Sequence, residues 1–367
     1  MTPDARGVRL VAGRLFWVLL CGFLPLVTLY YAIAPAAFGD THVVDFQTNY
    51  YYAAEAIRAG VSFYSVDSYY VYSPVVAIGS LPWTVLPVGL AESIFQVLLV
   101  AVFVCTLVVL GVRDWRCYGL AFLWPPVTDA ISAGNVSIPL GFAAALAWRF
   151  RDSPRAAGAS VGIGIAAKFF LAPLALWLAT TRRVAAAAWS LVIAAAVVLA
   201  SWFLVGFRGF TEYPDVLRRV SETYGDRGYT LYALGLDIGL SPGLSRAMWL
   251  ALATVLVAAT VVLGNRGDDQ RAFVLALTAA LAISPILWLH YFVLLLVIVA
   301  VVQPRLGPLW FIGLPLNYFV TTGTSNGSTQ QTVAVLVAAA LTIVLALRPV
   351  SFGKRTAAVS SPAAARP

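Results

Sequence analysis

Charged residues are scarce in this chain of 367 residues: they make up 11% of it, whereas 61% of the residues are hydrophobic. A soluble globular domain carries about 25% charged residues. Apolar runs of about 20 residues, the length that crosses a bilayer, recur from Phe16 to Leu347. The scarcity of charge therefore excludes one or two soluble domains and indicates an all-α polytopic membrane protein.

The chain is also poor in residues that bind metals. It has three cysteines and two histidines, and no His, Cys or Asp cluster has the spacing of metal ligands. No disulfide framework, ATP-binding motif or internal repeat is found either. We expect no metal and no cofactor, although Asp67, Asp129 and Asp237 could still meet in space and hold a divalent ion.

Ten apolar runs are predicted to be membrane spans, and two stretches are ambiguous. The first run is long for a cleaved signal peptide, which favours an uncleaved span. The stretch 74–90 holds three prolines and could cross, dip into the membrane or lie at its surface. The stretch 156–180 carries Lys168 and Pro173 at its middle, which favours two half-spans. The predicted spans are about 15–34, 91–111, 117–131, 135–149, 184–205, 244–264, 272–288, 290–303, 308–321 and 329–347.

The net charge of +8 is distributed as short basic clusters between the apolar runs. This is the positive-inside pattern of membrane proteins, and it argues against a nucleic-acid partner. If the N-terminus is inside, 74–90 does not cross and 156–180 forms two short segments, the basic clusters at 113–116, 149–155, 182–183, 266–271, 305 and 348–355 lie inside. Residues 1–350 are then one domain of about twelve membrane segments, followed by a disordered cytoplasmic tail, 351–367. The outer pieces are 35–90, the turn 132–135, the loop 206–243, the turn 288–290 and 321–331.

The first outer segment contains the first candidate for catalysis. Asp45 comes just before a helix-like stretch that ends at Gly60. One interpretation is a helix N-cap, because an Asp side chain accepts hydrogen bonds from the free amides of a first turn. The other is a carboxylate held at the membrane surface as a general base.

Tyrosines cluster in the same segment, at positions 64, 69, 70 and 72. Tyrosines at a bilayer interface usually form an aromatic belt, and this interpretation is favoured for most of them. A platform that stacks on sugars is the alternative, and Tyr72 is its candidate substrate-binding residue.

The outer junction 284–291 contains His290, flanked by Trp288 and Tyr291. A lone histidine is more often structural than functional. A titratable side chain at an outer rim could equally orient a carboxylate or bind phosphate. Trp288 and Tyr291 are candidate substrate-binding residues on the same argument.

Lys168 lies far from either end of its apolar run, so snorkelling to the surface explains it poorly. A charge at membrane depth usually has a functional partner, and a lipid-linked phosphate fits. Asp129 and Asn135 gather on the same outer side and are further candidates for substrate binding. The loop 206–243 is long, which is typical of functional loops.

In order and spacing, these motifs resemble glycosyltransferase family 87, whose members are polyprenol-phosphate-mannose-dependent mannosyltransferases of the GT-C type. Two positions depart from the family pattern, because Ser73 and Asn135 stand where Pro and Gln are common. No acceptor-side motif is recognised in 206–243. The matching elements are Asp45-Phe46 with Tyr50 and Ala53-Ala54, Tyr72-Ser73-Pro74, Gly134-Asn135, Lys168 with Pro173, and Ser284-Pro285 with Trp288 and His290.

The resemblance implies a GT-C-like bundle with juxtamembrane helices and an active site on the outer face of the plasma membrane. It implies transfer of a sugar, mannose foremost, from a polyprenyl-phosphate donor to a glycolipid or glycan acceptor hydroxyl with inversion. Asp45 would be the base, His290 would orient it or share its proton, and Lys168 would neutralise the departing phosphate. Membrane lipids are the remaining partners.

Two other classes of function remain as alternatives. A transporter or lipid flippase commonly shows an internal repeat, which this chain lacks, and it needs polar residues on both sides of the membrane. A structural subunit of a cell-envelope complex would make Asp45 a simple helix cap. Convergence of Asp45, Lys168 and His290 in space would favour the enzyme.

Overall fold

A computed structural model describes residues 3–38, 43–66, 70–320 and 327–348 of the chain. All regular secondary structure within these ranges is helical. Asp67, Tyr69 and the predicted tail lie outside the described residues. The fold is therefore a helical membrane fold, as the composition predicts.

Five helices in the described ranges are long and apolar enough to cross a membrane. Each coincides with a predicted span to within a few residues at most ends. A sixth candidate is a pair of shorter helices, Pro125–Ala133 and Ser137–Arg149, bent by 119°. The five long helices are Arg9–Pro35, Val88–Val109, Val184–Leu204, Pro242–Asn265 and Thr329–Ala346.

Two of the other predicted spans are broken. The prediction of one helix over 117–131 is wrong, because a helix ends at Phe122 and a new one begins at Pro125. Proline disfavours helical backbone in the residue before it, and Trp124 is extended (φ −78°, ψ 121°). The predicted span 308–321 likewise consists of two short turns, Pro308–Phe311 and Leu316–Phe319.

The remaining helices are short. Those in the predicted outer segments are Asp45–Tyr51, Tyr52–Arg58, Phe63–Val66, Pro74–Ser80, Leu81–Val85, Tyr213–Tyr224 and Leu231–Asp237. Those in the rest of the chain are Trp115–Phe122, Pro154–Ala167, Phe169–Leu171, Pro173–Thr180, Asp269–Ile283, Leu289–Val293 and Leu294–Val302.

The helix break predicted at Lys168 is present. The helix Pro154–Ala167 ends there in extended backbone (φ −148°, ψ 115°), and Phe169–Leu171 begins a separate turn. Small residues bring this helix close to Val184–Leu204. A Cβ atom on Gly162 would lie 2.6 Å from the carbonyl oxygen of Ser190, a close approach typical of membrane helices. This packing holds Lys168 in a defined position within the helical bundle.

The first outer segment packs into a core of its own, separate from the main core of the bundle. This second core also takes up Trp202, Val216 and Val220. The aromatic-belt interpretation is wrong for the described tyrosines, because Tyr64, Tyr70 and Tyr72 are buried against one another. Burial inside the protein also leaves no open stacking platform at these rings.

An ion-pair network joins three connections on the side predicted to be cytoplasmic. Asp269 accepts hydrogen bonds from Arg151 at 3.0 Å, from Arg183 at 2.8 Å and from the indole of Trp177 at 2.9 Å. Arg183 also contacts Asp152. The network therefore holds together the ends of the helices on this side of the bundle.

Candidate active site

Asp45 is the first residue of a wide helical turn, Asp45–Tyr51, that opens the first outer segment. Its Oδ1 accepts a hydrogen bond from Asn49 Nδ2 at 3.2 Å, and its Oδ2 accepts one from Asn135 Nδ2 at 2.6 Å. The residue at the N-cap position of this turn is Val44, and no side chain caps the turn. The capping interpretation is therefore wrong, and the carboxylate faces other side chains.

Asn135 is held in one orientation by Ser137. The backbone N–H and the hydroxyl of Ser137 both donate to Asn135 Oδ1, at 2.8 and 2.6 Å. Since two donors require the oxygen on that side, the amide nitrogen points at Asp45.

Gly134 lets the turn that carries Asn135 approach the first outer segment. Its φ is +66°, and an added Cβ would lie 2.5 Å from Val43 Cγ1 and 2.8 Å from Phe46 Cβ. A residue with a side chain would meet both a strained backbone and a steric clash. The glycine therefore sets the distance between Asn135 and Asp45.

His290 lies in the turn Leu289–Val293 and is buried. Its Nδ1 is 3.3 Å from Asp129 Oδ2, and its Nε2 is 3.9 Å from Asp45 Oδ2. The Nε2 atom is buried and makes no hydrogen bond. The imidazole is thus placed between two carboxylates that come from different parts of the chain.

Lys168 reaches the same cluster from the helix break. Its ammonium donates to the hydroxyl of Tyr291 and lies 4.0 Å from the centre of that ring and 4.8 Å from the ring of Tyr72. The ring of Tyr291 in turn contacts the ring of His290 edge to face, with centroids 4.8 Å apart. The side chain of Tyr291 therefore lies between the ammonium of Lys168 and the imidazole of His290.

Two buried tyrosines connect the Asp45 turn to the Lys168 break. The hydroxyls of Tyr50 and Tyr72 are 3.3 Å apart, and the N–H of Val136 donates to Tyr50 at 3.1 Å. Burial raises the pKa of Tyr50 and Tyr72 well above the usual range, so both stay neutral. The hydroxyl of Ser73 also donates a hydrogen bond to the carbonyl of Ala166, next to the break, at 3.2 Å.

Most of the residues singled out from the sequence come together here. Trp288 is the exception. The described contact of its ring is with the ring of Tyr224, with centroids 5.9 Å apart. Asn49 and Ser137 were missed. The signal for Asn49 was its position four residues after Asp45, which places the two on one helix face. Those brought together are Asp45, Tyr72, Asp129, Asn135, Lys168, His290 and Tyr291.

The loop 206–243 is ordered and docks on the element that carries His290. Besides the contact of Tyr224 with Trp288, the N–H of Tyr229 donates to the carbonyl of Leu287 at 2.7 Å. The loop therefore packs beside the cluster, against the segment that precedes His290.

The three predicted metal candidates are not grouped. Asp129 meets His290, Asp237 accepts a hydrogen bond from Thr329 at 3.2 Å, and Asp67 lies outside the described residues. Among the residues described, no three His, Cys, Asp or Glu side chains form a group that could hold a metal ion.

The arrangement is suited to proton transfer next to a cation. A carboxylate has about four lone-pair positions, and Asn49 and Asn135 occupy two of those on Asp45. The side chain of Asp45 is 21% exposed, so a substrate hydroxyl can reach a free position. Lys168 supplies a positive charge that can stabilise an anion.

Comparisons with known proteins identify the family of the chain. Glycosyltransferase family 87 matches residues 70–286, which is more than half of the chain. The matched range includes Tyr72, Asp129, Asn135 and Lys168, whereas Asp45 and His290 lie outside it.

A relative from Mycolicibacterium smegmatis is named polyprenol-phosphate-mannose-dependent alpha-(1-2)-phosphatidylinositol pentamannoside mannosyltransferase. The two sequences are 26% identical over 251 residues. The match covers 62% of this chain and 59% of the relative, which is less than two thirds of the relative's length. No solved structure matches the chain significantly. Because the family match extends over most of the helical bundle, the chain belongs to glycosyltransferase family 87 and is a membrane glycosyltransferase.

Proposed function

We propose that the chain transfers a mannosyl residue from a polyprenyl-phosphate donor to a hydroxyl of a glycolipid or glycan acceptor. The observation that carries the proposal is the position of Asp45 beside His290, with Lys168 in the same cluster. The donor named for the Mycolicibacterium smegmatis relative supports a polyprenyl-phosphate sugar here as well.

Asp45 is the general base in this proposal. The phosphate of the donor is already a good leaving group, so the enzyme needs no strong acid. Asp45 removes the proton of the acceptor hydroxyl as the acceptor oxygen attacks the anomeric carbon. Attack from the side opposite the phosphate inverts a β-linked donor into an α-linked product.

Lys168 is the electrostatic partner of the leaving group. As the bond between the sugar and the phosphate oxygen breaks, negative charge accumulates on the phosphate. A cation near this oxygen lowers the barrier by stabilising charge that develops in the transition state. Tyr72 and Tyr291 hold the ammonium by their rings and, for Tyr291, by its hydroxyl.

The membrane arrangement follows from the same proposal. Residues 1–350 form one domain in the plasma membrane, with outer juxtamembrane helices and both termini in the cytoplasm. Short apolar helices such as Phe169–Thr180 and Leu289–Val302 complete the segments that the five long helices do not supply. The distribution of arginines supports this orientation, and it puts Asp45, Lys168 and His290 on the outer face.

Transfer of radiolabelled mannose from polyprenyl-phosphate-mannose to a membrane lipid extract tests the proposal. We expect the native chain to transfer mannose, and both Asp45→Asn and His290→Ala to lose activity while they elute as folded protein. Asp237→Asn is the matched control, because it is an exposed Asp whose described partner is Thr329. No transfer by the native chain from mannose or arabinose donors would refute the proposed donor class. Full activity of Asp45→Asn would refute the assignment of the base.

A further inference from the structure

His290 is held between two carboxylates, and the function proposed above uses only one of them. Asp45 faces Nε2 and Asp129 faces Nδ1, at 3.9 and 3.3 Å. Asp129 comes from the helix Pro125–Ala133, and its side chain is 11% exposed. The sequence suggested that Asp129 binds substrate, whereas in the structure its carboxylate lies against Nδ1 of His290.

The contact with Asp129 sets where the ring proton lies. An ionised carboxylate can only accept hydrogen bonds. A neutral imidazole that bonds Asp129 must therefore carry its hydrogen on Nδ1, and Nε2 must present a lone pair. This is consistent with Nε2, which is buried, makes no hydrogen bond and faces a second acceptor, Asp45.

We infer that Asp129 is a positioning residue: it holds the Nδ1–H form of His290, so that Nε2 is open to receive the proton that Asp45 takes from the acceptor. The inference deepens the proposed function and depends on it for the identity of the proton. The role assigned to Asp129 is to act on His290 and not on the sugar.

The proton and the electrons balance along this path. The acceptor oxygen forms its bond to the anomeric carbon, and the electron pair of the broken bond goes to the phosphate oxygen. The hydroxyl proton passes to Asp45 and then to Nε2, giving an imidazolium between two carboxylates. After transfer, the proton leaves with the polyprenyl phosphate or to water, and His290 returns to its neutral form.

The distance from Nε2 to Asp45 fits a resting state. At 3.9 Å it exceeds the 2.7–3.2 Å range of a hydrogen bond. Two acceptors without a proton between them gain nothing by a closer approach. Catalytic hydrogen bonds are often long before substrate binds, and the arrival of a proton supplies the missing donor.

Other ionisable groups surround this pair. Tyr291 contacts the imidazole ring, and Lys168 donates to the hydroxyl of Tyr291. Burial and, after it, the negative charge of Asp129 raise the pKa of Tyr229 to about 12. These groups shape the field at His290, whereas Asp129 is the one whose described contact is with Nδ1.

The sequence offers a direct measurement, because the chain contains only two histidines, His42 and His290. A His42→Gln chain, purified without a histidine tag and grown with ¹⁵N-histidine, reports His290 alone. Its ring nitrogens are observed by NMR under conditions in which the ¹⁵N spectrum shows the neutral ring. We expect a protonated Nδ1 and an unprotonated Nε2. A proton on Nε2 instead would overturn the inference without any variant at position 129.

Asp129→Asn is the second arm, because it keeps the shape of the side chain and removes the obligatory acceptor. The ¹⁵N spectrum should change to a mixture of forms or to Nε2–H. The kcat for sugar transfer should fall about 10²- to 10⁴-fold, as when a carboxylate that orients a catalytic histidine is amidated. The KM for the donor should stay within about threefold, because the role proposed for Asp129 is exerted through His290. Asp237→Asn is again the control.

The outcomes separate this inference from the proposed function. If the native chain is active and Asp129→Asn changes neither the ¹⁵N spectrum nor kcat, the inference fails and the proposed function stands. If the native chain transfers no mannose, the ¹⁵N arm still reports whether Asp129 fixes the ring, and an Nε2–H ring refutes it. If Asp129→Asn does not fold, the spectrum of the His42→Gln chain decides.

Discussion

Asn135 and Asp45 are 90 residues apart in the chain, yet Nδ2 of Asn135 lies 2.6 Å from Oδ2 of Asp45. The contact is directional because Ser137 occupies the oxygen of the same amide. A carboxylate held by a fixed amide keeps its remaining lone pairs at a defined angle. This relationship gives a fixed orientation to the carboxylate that we propose as the base, and it has consequences that can be measured.

Replacing Asn135 with alanine should slow sugar transfer. A hydrogen bond to a charged group contributes about 1.5–3 kcal/mol, so its loss at the base should lower kcat at least about tenfold. The KM values should change little, because Asn135 contacts Asp45 and not the leaving group. Asn317→Ala is the matched control, since this exposed amide donates to the backbone carbonyls of Leu123 and Leu314 and not to a carboxylate. Unchanged kcat would show that Asn49 alone orients Asp45.

Replacing Gly134 with alanine should destabilise the protein and weaken activity. The new Cβ would meet Val43 and Phe46, and the residue would keep a positive φ. Gly239→Ala separates the two effects, because Gly239 has φ +85° with nothing within 4 Å of an added Cβ. In thermal unfolding in detergent, the Gly134 variant should melt at a lower temperature than the Gly239 variant. Equal melting temperatures would mean that the clash is relieved by movement of the turn.

Replacing Lys168 with glutamine should affect the donor side of the reaction. The variant keeps a polar side chain but loses the charge proposed to stabilise the departing phosphate. Removal of one such electrostatic group costs about 10²- to 10³-fold in kcat. Lys168→Arg keeps the charge and should retain more activity than Lys168→Gln. If the two variants are equally active, the charge of Lys168 plays no part in catalysis.

Replacing Asp269 with asparagine should lower stability without a direct effect on chemistry. The change removes the charge that pairs with Arg151 and Arg183 and weakens the bond to the indole of Trp177. Because these groups are partly buried, we expect a loss of about 2 kcal/mol. Asp215→Asn is the control, since its pair with Arg218 is exposed and contributes little. Thermal unfolding at low and at high salt measures the stability of both the Asp269→Asn and the Asp215→Asn variants.

Local composition was enough to predict the long helices. A span such as Val184–Leu204 must match the thickness of the bilayer, so its length is visible as an apolar run. The break at Lys168 was also predictable, because a buried charge and Pro173 interrupt such a run. The predicted helix over 117–131 failed because apolarity alone does not distinguish one helix from two when Pro125 interrupts the pattern.

The individual members of the candidate site were predicted by their chemistry. Asp45, Lys168 and His290 stand out because charged or titratable side chains are rare next to apolar runs. The resemblance to family 87 put them in one functional set, and the family match over 70–286 includes Lys168 but neither Asp45 nor His290. Their roles in catalysis stay predictions until the transfer assay is done.

The pairings within the site depend on packing that no local pattern reveals. His290 and Asp129 are 161 residues apart, and Asn135 reaches Asp45 only because Gly134 lies against Val43 and Phe46. Likewise, Tyr64, Tyr70 and Tyr72 looked like an interface belt but pack into a core with Trp202. Sequence sets which residues can do chemistry and how long each helix runs, since both are local properties. Which carboxylate faces which nitrogen follows from contacts between distant segments, and the folded arrangement alone establishes them.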